Sequence, residues 1–425
     1  MITELKWGRE ETRVEIPDPN VLGVLSPSAS LPPVENLAEA VAEILEKPTA
    51  GQSLREWMEK VSPKQVVVIV NDMTRSTPSG EMLPPILRLL EGSGVVPEKI
   101  RIVIATGTHR AMTEKEVLEL LGSDIVGRYR VENHLCDAPD LVDMGVLSTG
   151  NRLLLNRTVV ESDLRIAVGE VLLHYYAGFA GGRKSILPGV AGRATVMRNH
   201  KMMTEPGVGI GILEGNRLYE ETDEAVEKFC PLHFIVNIVS DSSKNIVRVV
   251  GGHYRDAWMK GVETFRRMNF VEIDRPADAV FVSAGGYPKD INMYQAHKAI
   301  YMASRAVRKG GTMIFLAELE EGYGHKVFAE WAERDRTPAE VTRDFEAEFR
   351  FGAHKLYYLA QHAMNFEMLL YSRMSALESR RMFCRKIEDL QGAITYLRQK
   401  HGNGFSAWVL PQGGIVLPTL REAGR

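Results

Sequence analysis

Cysteine is scarce in this chain. Its three cysteines, Cys136, Cys230 and Cys384, lie far apart, which excludes a CxxC zinc motif and a disulfide framework and gives a reducing, cytoplasmic compartment as the expectation. Long apolar runs are missing as well. No stretch of about 18 apolar residues is present to span a bilayer, and the opening MITELKWGREETRVEIP lacks the uninterrupted apolar core of a signal peptide. The formal net charge is only −3, so no electrostatic case exists for nucleic acid or an anionic membrane as main partner. Closely spaced histidine pairs such as HExxH are absent, which removes the usual zinc hydrolase. Internal repeats and low-complexity tails are not found. What is present is an ordinary globular composition, 44% apolar and 25% charged, over 425 residues. That length exceeds what one core usually covers, so two domains are expected.

The pattern along the chain predicts an α/β fold. Residues 2–16 alternate as a hairpin with Gly8 at the turn, and Glu35–Leu45 and Leu54–Val61 carry helical periodicity. Gln65–Val70 (QVVVIV) is a continuous apolar run, the mark of a strand buried on both faces of a parallel sheet. It ends in Asn71-Asp72-Met73-Thr74-Arg75 before the helix Glu81–Leu90. Ile100–Ala105 (IRIVIA) repeats the pattern, ending in Thr106-Gly107-Thr108-His109-Arg110, and Thr113 with Glu116 forms a capping box for the next helix. The Leu164–Leu173 region is the third repeat and ends at His174. Strand, polar tip and helix in succession predict a βαβ architecture, and such sheets bind ligands outside the carboxyl ends of their strands. Asp72, Arg75, His109 and His174 all fall there.

Further on, His233–Val239 and Ile246–Val250 read as neighbouring strands and Ala257–Met268 as a helix. Pro276 marks a boundary. Ala279–Ser283 and Thr312–Leu316 are again buried-type strands, separated by a glycine-rich tip at 284–292 and a helix carrying Tyr294, Gln295 and Lys298. Residues 325–401 read as largely helical, and Phe405–Leu417 as strand-like. The expectation is therefore two α/β domains with mainly parallel sheets and an active-site crevice between them. The N-terminal domain, 1–274, carries the glycine-rich loop of residues 171–201, and the C-terminal domain, 275–425, carries its own glycine-rich strand tip.

The chain is organised around residues 171–201, VLLHYYAGFAGGRKSILPGVAGRATVMRNHK. Glycines at 178, 181, 182, 189 and 192 give a loop whose backbone can approach a ligand closely. His174, Lys184 and His200 punctuate it. An imidazole is a base or metal ligand near neutral pH, and a desolvated lysine is a potential covalent anchor. Gly182-Arg183-Lys184-Ser185 resembles the end of a phosphate loop, but Arg183 separates the glycine from the lysine. A Schiff-base enzyme would leave the two histidines without a task. His297 and Lys298 are adjacent in a helix and cannot both face one ligand, so Lys298 is taken as functional and His297 as structural.

Together the motifs resemble the lactate racemase family. DMTRSTP at 72–78, ATGTHRAMTEKE at 105–116, GEVLLHYYAGFAGGRKSILPGVAG at 169–192, Arg198-Asn199-His200, and SAGGYPKDINMYQAHKA at 283–299 appear in order and at the family's spacing. The resemblance implies a nickel-pincer nucleotide, the Ni(II) complex of pyridinium-3-thioamide-5-thiocarboxylic acid mononucleotide, tethered covalently to Lys184. It also implies cofactor-biosynthesis proteins as partners in the cell. His200 is then the metal ligand, His109 and His174 the catalytic acid–base pair, and Asp72, Met73, Thr74 and Arg75 the cofactor-contacting segment. Arg75, Tyr294, Gln295 and Lys298 are then the substrate-binding groups. The implied reaction inverts C2 of a 2-hydroxy acid, lactate or a relative, by hydride transfer with the histidines handling the hydroxyl proton. No side chain accepts a hydride at neutral pH, so a cofactor must. Ser76 stands where the family pattern has proline. The aromatic residue that covers the substrate in lactate racemases has three candidates, Trp331, Tyr357 and Tyr358. A non-catalytic organic-anion binding protein on the same fold is the alternative, but it needs Arg75 and Lys298 and no covalent lysine.

Overall fold

The apolar run at 65–70 forms the strand Val66–Asn71, and its place in the sheet explains why it has no polar face. The computed structural model describes residues 1–28 and 31–421. In it this strand lies between Leu164–Glu170 and Ile100–Ala105 and runs parallel to both. The full sheet has six strands in the order Ile246–Gly252, Phe234–Ser240, Leu164–Glu170, Val66–Asn71, Ile100–Ala105 and Arg130–Asn133. Its first pair is antiparallel and the rest are parallel. Val66, Val68 and Val70 join Ile100, Ile102, Ile104, Leu164, Ile166 and Val168 in one core layer. Helices Leu37–Glu46 and Ser79–Gly92 cover that layer with Val41, Leu45, Leu83 and Ile86. Each such side chain contributes roughly 1.5–3 kcal/mol on full burial. The capping box at Thr113 and Glu116 is formed as expected, and Ser53 with Glu56 forms another.

A second sheet has the order Cys384–Ile387, Glu367–Tyr371, Val307–Leu316, Ala277–Ser283, Ala407–Leu410 and Val21–Val24. All its pairings are parallel. The mixed α/β class with mainly parallel sheets is therefore the observed one. The division of the chain differs from the expected one. The compact units are Met1–Ala29 with Met268–Arg425, and Ser30–Arg267. Strand Val21–Val24 pairs with Ala407–Leu410, and Leu5, Val14 and Ile16 enter the same core as Phe281, Ile314 and Leu369. Hydrogen bonding and apolar burial thus tie the first residues to the second sheet. Phe270–Ile273 pairs with Leu417–Leu420, which moves the junction ahead of 274. The 325–401 segment holds the strands Glu367–Tyr371 and Cys384–Ile387 besides its helices. Both are short runs between helices, with little to distinguish them locally from helix ends.

Candidate active site

Three neighbouring parallel strands deliver three polar tips to one end of the Ser30–Arg267 unit. Asp72 follows Val66–Asn71, His109 follows Ile100–Ala105, and His174 lies just beyond Leu164–Glu170. Asp72 is buried and His109 is not, the side chains being 7% and 43% exposed. His109 Nδ1 lies 2.6 Å from Asp72 Oδ2 and donates to it. The other carboxylate oxygen accepts from the Thr74 N–H at 3.1 Å and the Thr74 hydroxyl at 2.5 Å. Burial alone would raise the Asp72 carboxyl; the bonds from His109 and Thr74 and the charges of His109 and Arg75 outweigh it and hold the carboxyl below its usual range. His109 therefore keeps its proton on Nδ1 and leaves Nε2 as the basic nitrogen. Arg75 is half-buried and donates to the Thr74 hydroxyl at 3.1 Å, while Met73 is exposed.

The glycine loop is anchored beneath these tips. Gly182 N–H donates to Asn237 Oδ1 at 2.9 Å, and Trp258 Nε1 donates to the Ala180 carbonyl at 2.8 Å. Gly181 has φ +85°, and a Cβ there would sit 2.8 Å from Asn237 Oδ1 and 2.9 Å from the Glu170 carbonyl oxygen. Only glycine fits both constraints. Arg183, which spoiled the phosphate-loop match, is fully buried. Its guanidinium lies 3.8 Å from the Tyr219 ring centroid and 4.3 Å from that of Trp258. Gly107 N–H donates to the Gly189 carbonyl at 3.0 Å, joining the His109 tip to the Lys184 loop.

Lys184 is thus held with its amine among other groups of the site. Desolvation, then the charges of Arg75 and Arg183, push the amine well below the ordinary lysine range. Its Nζ lies 3.4 Å from His174 Nε2, while His174 Nδ1 accepts from the Ala177 N–H at 3.3 Å. His200 comes from the last turn of the helix Arg193–Lys201 and is buried. Burial, with the charges of Lys184 and His109, pushes its imidazole down to about 3, so it is neutral across the physiological range. His200 Nδ1 faces Asn199 Oδ1 at 3.2 Å.

Tyr176 joins these groups, and sequence reasoning gave it no role. Its ring centroid is 4.5 Å from that of His174, 4.8 Å from that of His200, and 5.9 Å from Lys184 Nζ. The signal that points to it is its position two residues after His174 in a tight hairpin, where Leu173–His174 pairs with Gly178–Phe179.

In the other unit, Lys298 of the helix Met293–Ala303 lies one turn on from Tyr294 and Gln295, four and three residues away, and none of the three is buried. Tyr294 stacks on His325 at 4.6 Å, with Lys355 Nζ 5.3 Å from its ring. His297 is fully buried against Tyr358 and His362, consistent with a structural part. Trp331 is also fully buried, edge-on to Phe345, and Tyr357 stacks on that same ring at 4.8 Å. Trp331 is a core residue and not a cover for a substrate. Tyr358 lies 4.9 Å from Tyr301 of the Lys298 helix.

Residues 7–211 match the family model described as the lactate racemase N-terminal domain, and residues 273–417 the one described as the lactate racemase C-terminal domain. The chain belongs to the lactate racemase family. It is 31% identical to a lactate racemase from Thermoanaerobacterium thermosaccharolyticum, covering 97% of this chain and 98% of that one. It is 33% identical to a lactate racemase from Lactiplantibacillus plantarum over 76% of each chain. The solved structure of the T. thermosaccharolyticum lactate racemase apoprotein superposes with a TM-score of 0.88 at 30% identity, covering 99% of this chain and 100% of that one. A Thermotoga maritima protein at 20% identity shares the fold alone, with a TM-score of 0.59 over 91% of this chain and 97% of that one. Lactate racemases are isomerases, and this chain is an enzyme of that class.

Proposed function

We propose that the protein is a racemase or epimerase acting at C2 of lactate or a related 2-hydroxy acid, with a nickel-pincer nucleotide tethered to Lys184. The observation that carries this reading is the placement of a desolvated lysine amine 3.4 Å from the His174 imidazole, with the buried His200 close enough to feel the charges of both Lys184 and His109. A neutral amine is the form that can be acylated. The donor set fits the cofactor too. His200 offers a single neutral imidazole, and among the described residues no group of three or more His, Cys, Asp and Glu side chains is placed to hold a metal ion. A metal here would need further ligands that arrive with an organic group, and a soft sulfur and carbon set joined by the His200 imidazole would suit Ni(II). When bound, the cofactor supplies a hydride acceptor that no side chain provides.

The residues of the chain then divide the remaining work. His109, held by Asp72, takes the hydroxyl proton at Nε2 on one side of the substrate and returns it there. His174 is the acid–base group on the other side. Its Nδ1 accepts from the Ala177 N–H, so its ring hydrogen must move from Nε2 to Nδ1 before Nε2 can take the proton there. A planar 2-keto acid can then be reprotonated on oxygen from either direction. Arg75 and Lys298 supply cations for the substrate carboxylate, with Tyr294 and Gln295 one turn before Lys298 on its helix. A pure anion binder gains nothing from a neutral amine at Lys184. The test is to load the protein by co-expression with the cofactor-making proteins and screen it against single-enantiomer 2-hydroxy acids. Inversion of at least one of them is expected. Nickel-loaded protein that inverts none would overturn the reading.

A further inference from the structure

We infer that Glu221 and Asn199 are positioning residues that set the tautomer of His200, keeping the proton on Nδ1 and so placing the ring's lone pair on Nε2. A backbone carbonyl only accepts, and one of them fixes the first group of the relay. Asn151 Nδ2 lies 3.0 Å from the Thr195 carbonyl oxygen, which fixes that end of the Asn151 amide as nitrogen. The same nitrogen donates to Glu221 Oε1 at 2.7 Å. Glu221 Oε1 is therefore an acceptor, and as part of a carboxylate it has no hydrogen to donate. Asn199 approaches that same oxygen at 3.1 Å, so the atom it presents must be its NH2 group. Its carbonyl oxygen then faces the other way, 3.2 Å from His200 Nδ1. An amide oxygen only accepts, and the nitrogen opposite it must carry the hydrogen.

Each member of this relay is held where it is. Asn151 is 2% exposed, Asn199 0% and Glu221 1%. Glu221 Oε2 accepts from the Thr149 hydroxyl, which stops the carboxyl group from rotating. Thr195, whose carbonyl starts the relay, lies on the same helix as His200 and donates its own hydroxyl to the Arg152 carbonyl at 2.6 Å. The helix that presents His200 thus also fixes the reference point for its tautomer. Buried groups of this kind, behind a ligating imidazole, typically change metal affinity by about 10- to 100-fold when altered.

That a metal is the ligand rests on the proposed function, whereas the tautomer itself does not. Ring-15N-histidine spectra of the metal-free protein test it directly, with the His200 signals assigned by their loss in His200→Gln. A protonated Nδ1 and an unprotonated Nε2 are expected. The reverse pattern in the unmodified protein would overturn the inference without any further variant. Glu221→Leu fills similar space but removes the acceptor that orients the Asn199 amide, so it should give a mixed or inverted His200 tautomer. It should also shorten nickel retention in co-expressed protein by about tenfold or more. A Glu221→Leu protein with the original tautomer and nickel retention would overturn the positioning role. If the tautomer shifts while His200→Ala leaves nickel retention unchanged, the relay stands and it is the ligand role of His200 that fails.

Discussion

Asp72 and His109 lie a single hydrogen bond apart, 2.6 Å between Oδ2 and Nδ1, although 37 residues separate them in the chain. Two parallel strands in register bring them together, since Asn71 sits opposite Ala105. The bond has a direction. Thr74 occupies the other carboxylate oxygen with two donors, so an amide at position 72 would place its own oxygen there and turn its NH2 group toward His109. That contact forces the His109 proton onto Nε2 and removes the base. Asp72→Asn should therefore lower kcat by about a hundredfold or more, within the usual range for a general base, with KM little changed. Steady-state kinetics on cofactor-loaded protein check it. Parent-like kcat in this variant would remove His109 from the proton transfer.

The Lys184 amine is held well below the ordinary lysine range, by desolvation first and then by Arg75 and Arg183. The sign of the effect sets its pH dependence. A depressed pKa leaves the amine neutral at pH values where an ordinary lysine, near 10.4, is protonated. Cofactor-free protein treated with a small amine-acylating reagent at pH 7–8 should be modified at Lys184 well ahead of exposed lysines, as peptide mass mapping would show. In co-expressed protein, intact mass should show a cofactor-sized increment that Lys184→Ala abolishes. An increment that survives the substitution would place the tether elsewhere.

How far the site could be read in advance follows the range of each interaction along the chain. Gln65–Val70 and Ile100–Ala105 announce buried parallel strands because every residue is apolar, and their tips are legible for the same reason. The capping box at Thr113 and the hairpin at Gly8 are local and were equally readable. Val21–Val24 is different. Four residues with no pattern of their own become a strand only because Ala407–Leu410 offers an edge nearly 400 residues later. The role of Tyr176 depends on where His200 lands, and Glu221 matters only because a helix brings it to Asn151 and Asn199. Trp331 stands among the sequence candidates for the aromatic that covers the substrate, because its burial against Phe345 has no signature in its neighbours. Motifs report local chemistry; the groups behind them are chosen by packing.

Arg75 offers a second test of the substrate site. Its guanidinium is braced by Thr74, with Nη1 donating to both the hydroxyl and the carbonyl of that residue at 3.1 and 3.3 Å. A braced fork presents two parallel donors to a carboxylate, and an ammonium at the same place does not. Arg75→Lys keeps the charge and should still lower kcat/KM by at least about tenfold, equivalent to roughly 1.4 kcal/mol of transition-state stabilisation. Kinetics at several concentrations of the active 2-hydroxy acid measure this. Unchanged kcat/KM would show that the carboxylate is bound by other groups.

The fate of the C2 hydrogen separates two mechanisms that share a pair of histidines. A two-base racemase would pull a C2 proton and generate a carbanion beside a carboxylate, a species usually stabilised by a hard metal such as Mg²⁺ on acidic ligands. At these strand tips the acidic groups are Asp72, whose two oxygens are engaged by His109 and Thr74, and Glu170, whose Oε1 accepts from the Ser240 hydroxyl at 2.7 Å. Among the described residues no group of three or more His, Cys, Asp and Glu side chains is placed to hold such a metal. Transfer of C2 hydrogen as hydride asks less of the histidines, which then move only the hydroxyl proton, an easier task near neutral pH. Racemisation in heavy water should consequently return product with its original C2 hydrogen. Substrate deuterated at C2 should react more slowly and keep its label through inversion. Proton and mass spectra of the recovered acid read both outcomes in one experiment. Extensive entry of solvent deuterium at C2, in a reaction that proceeds without nickel, would assign proton abstraction to His109 and His174 and leave the neutral amine of Lys184 without a catalytic purpose.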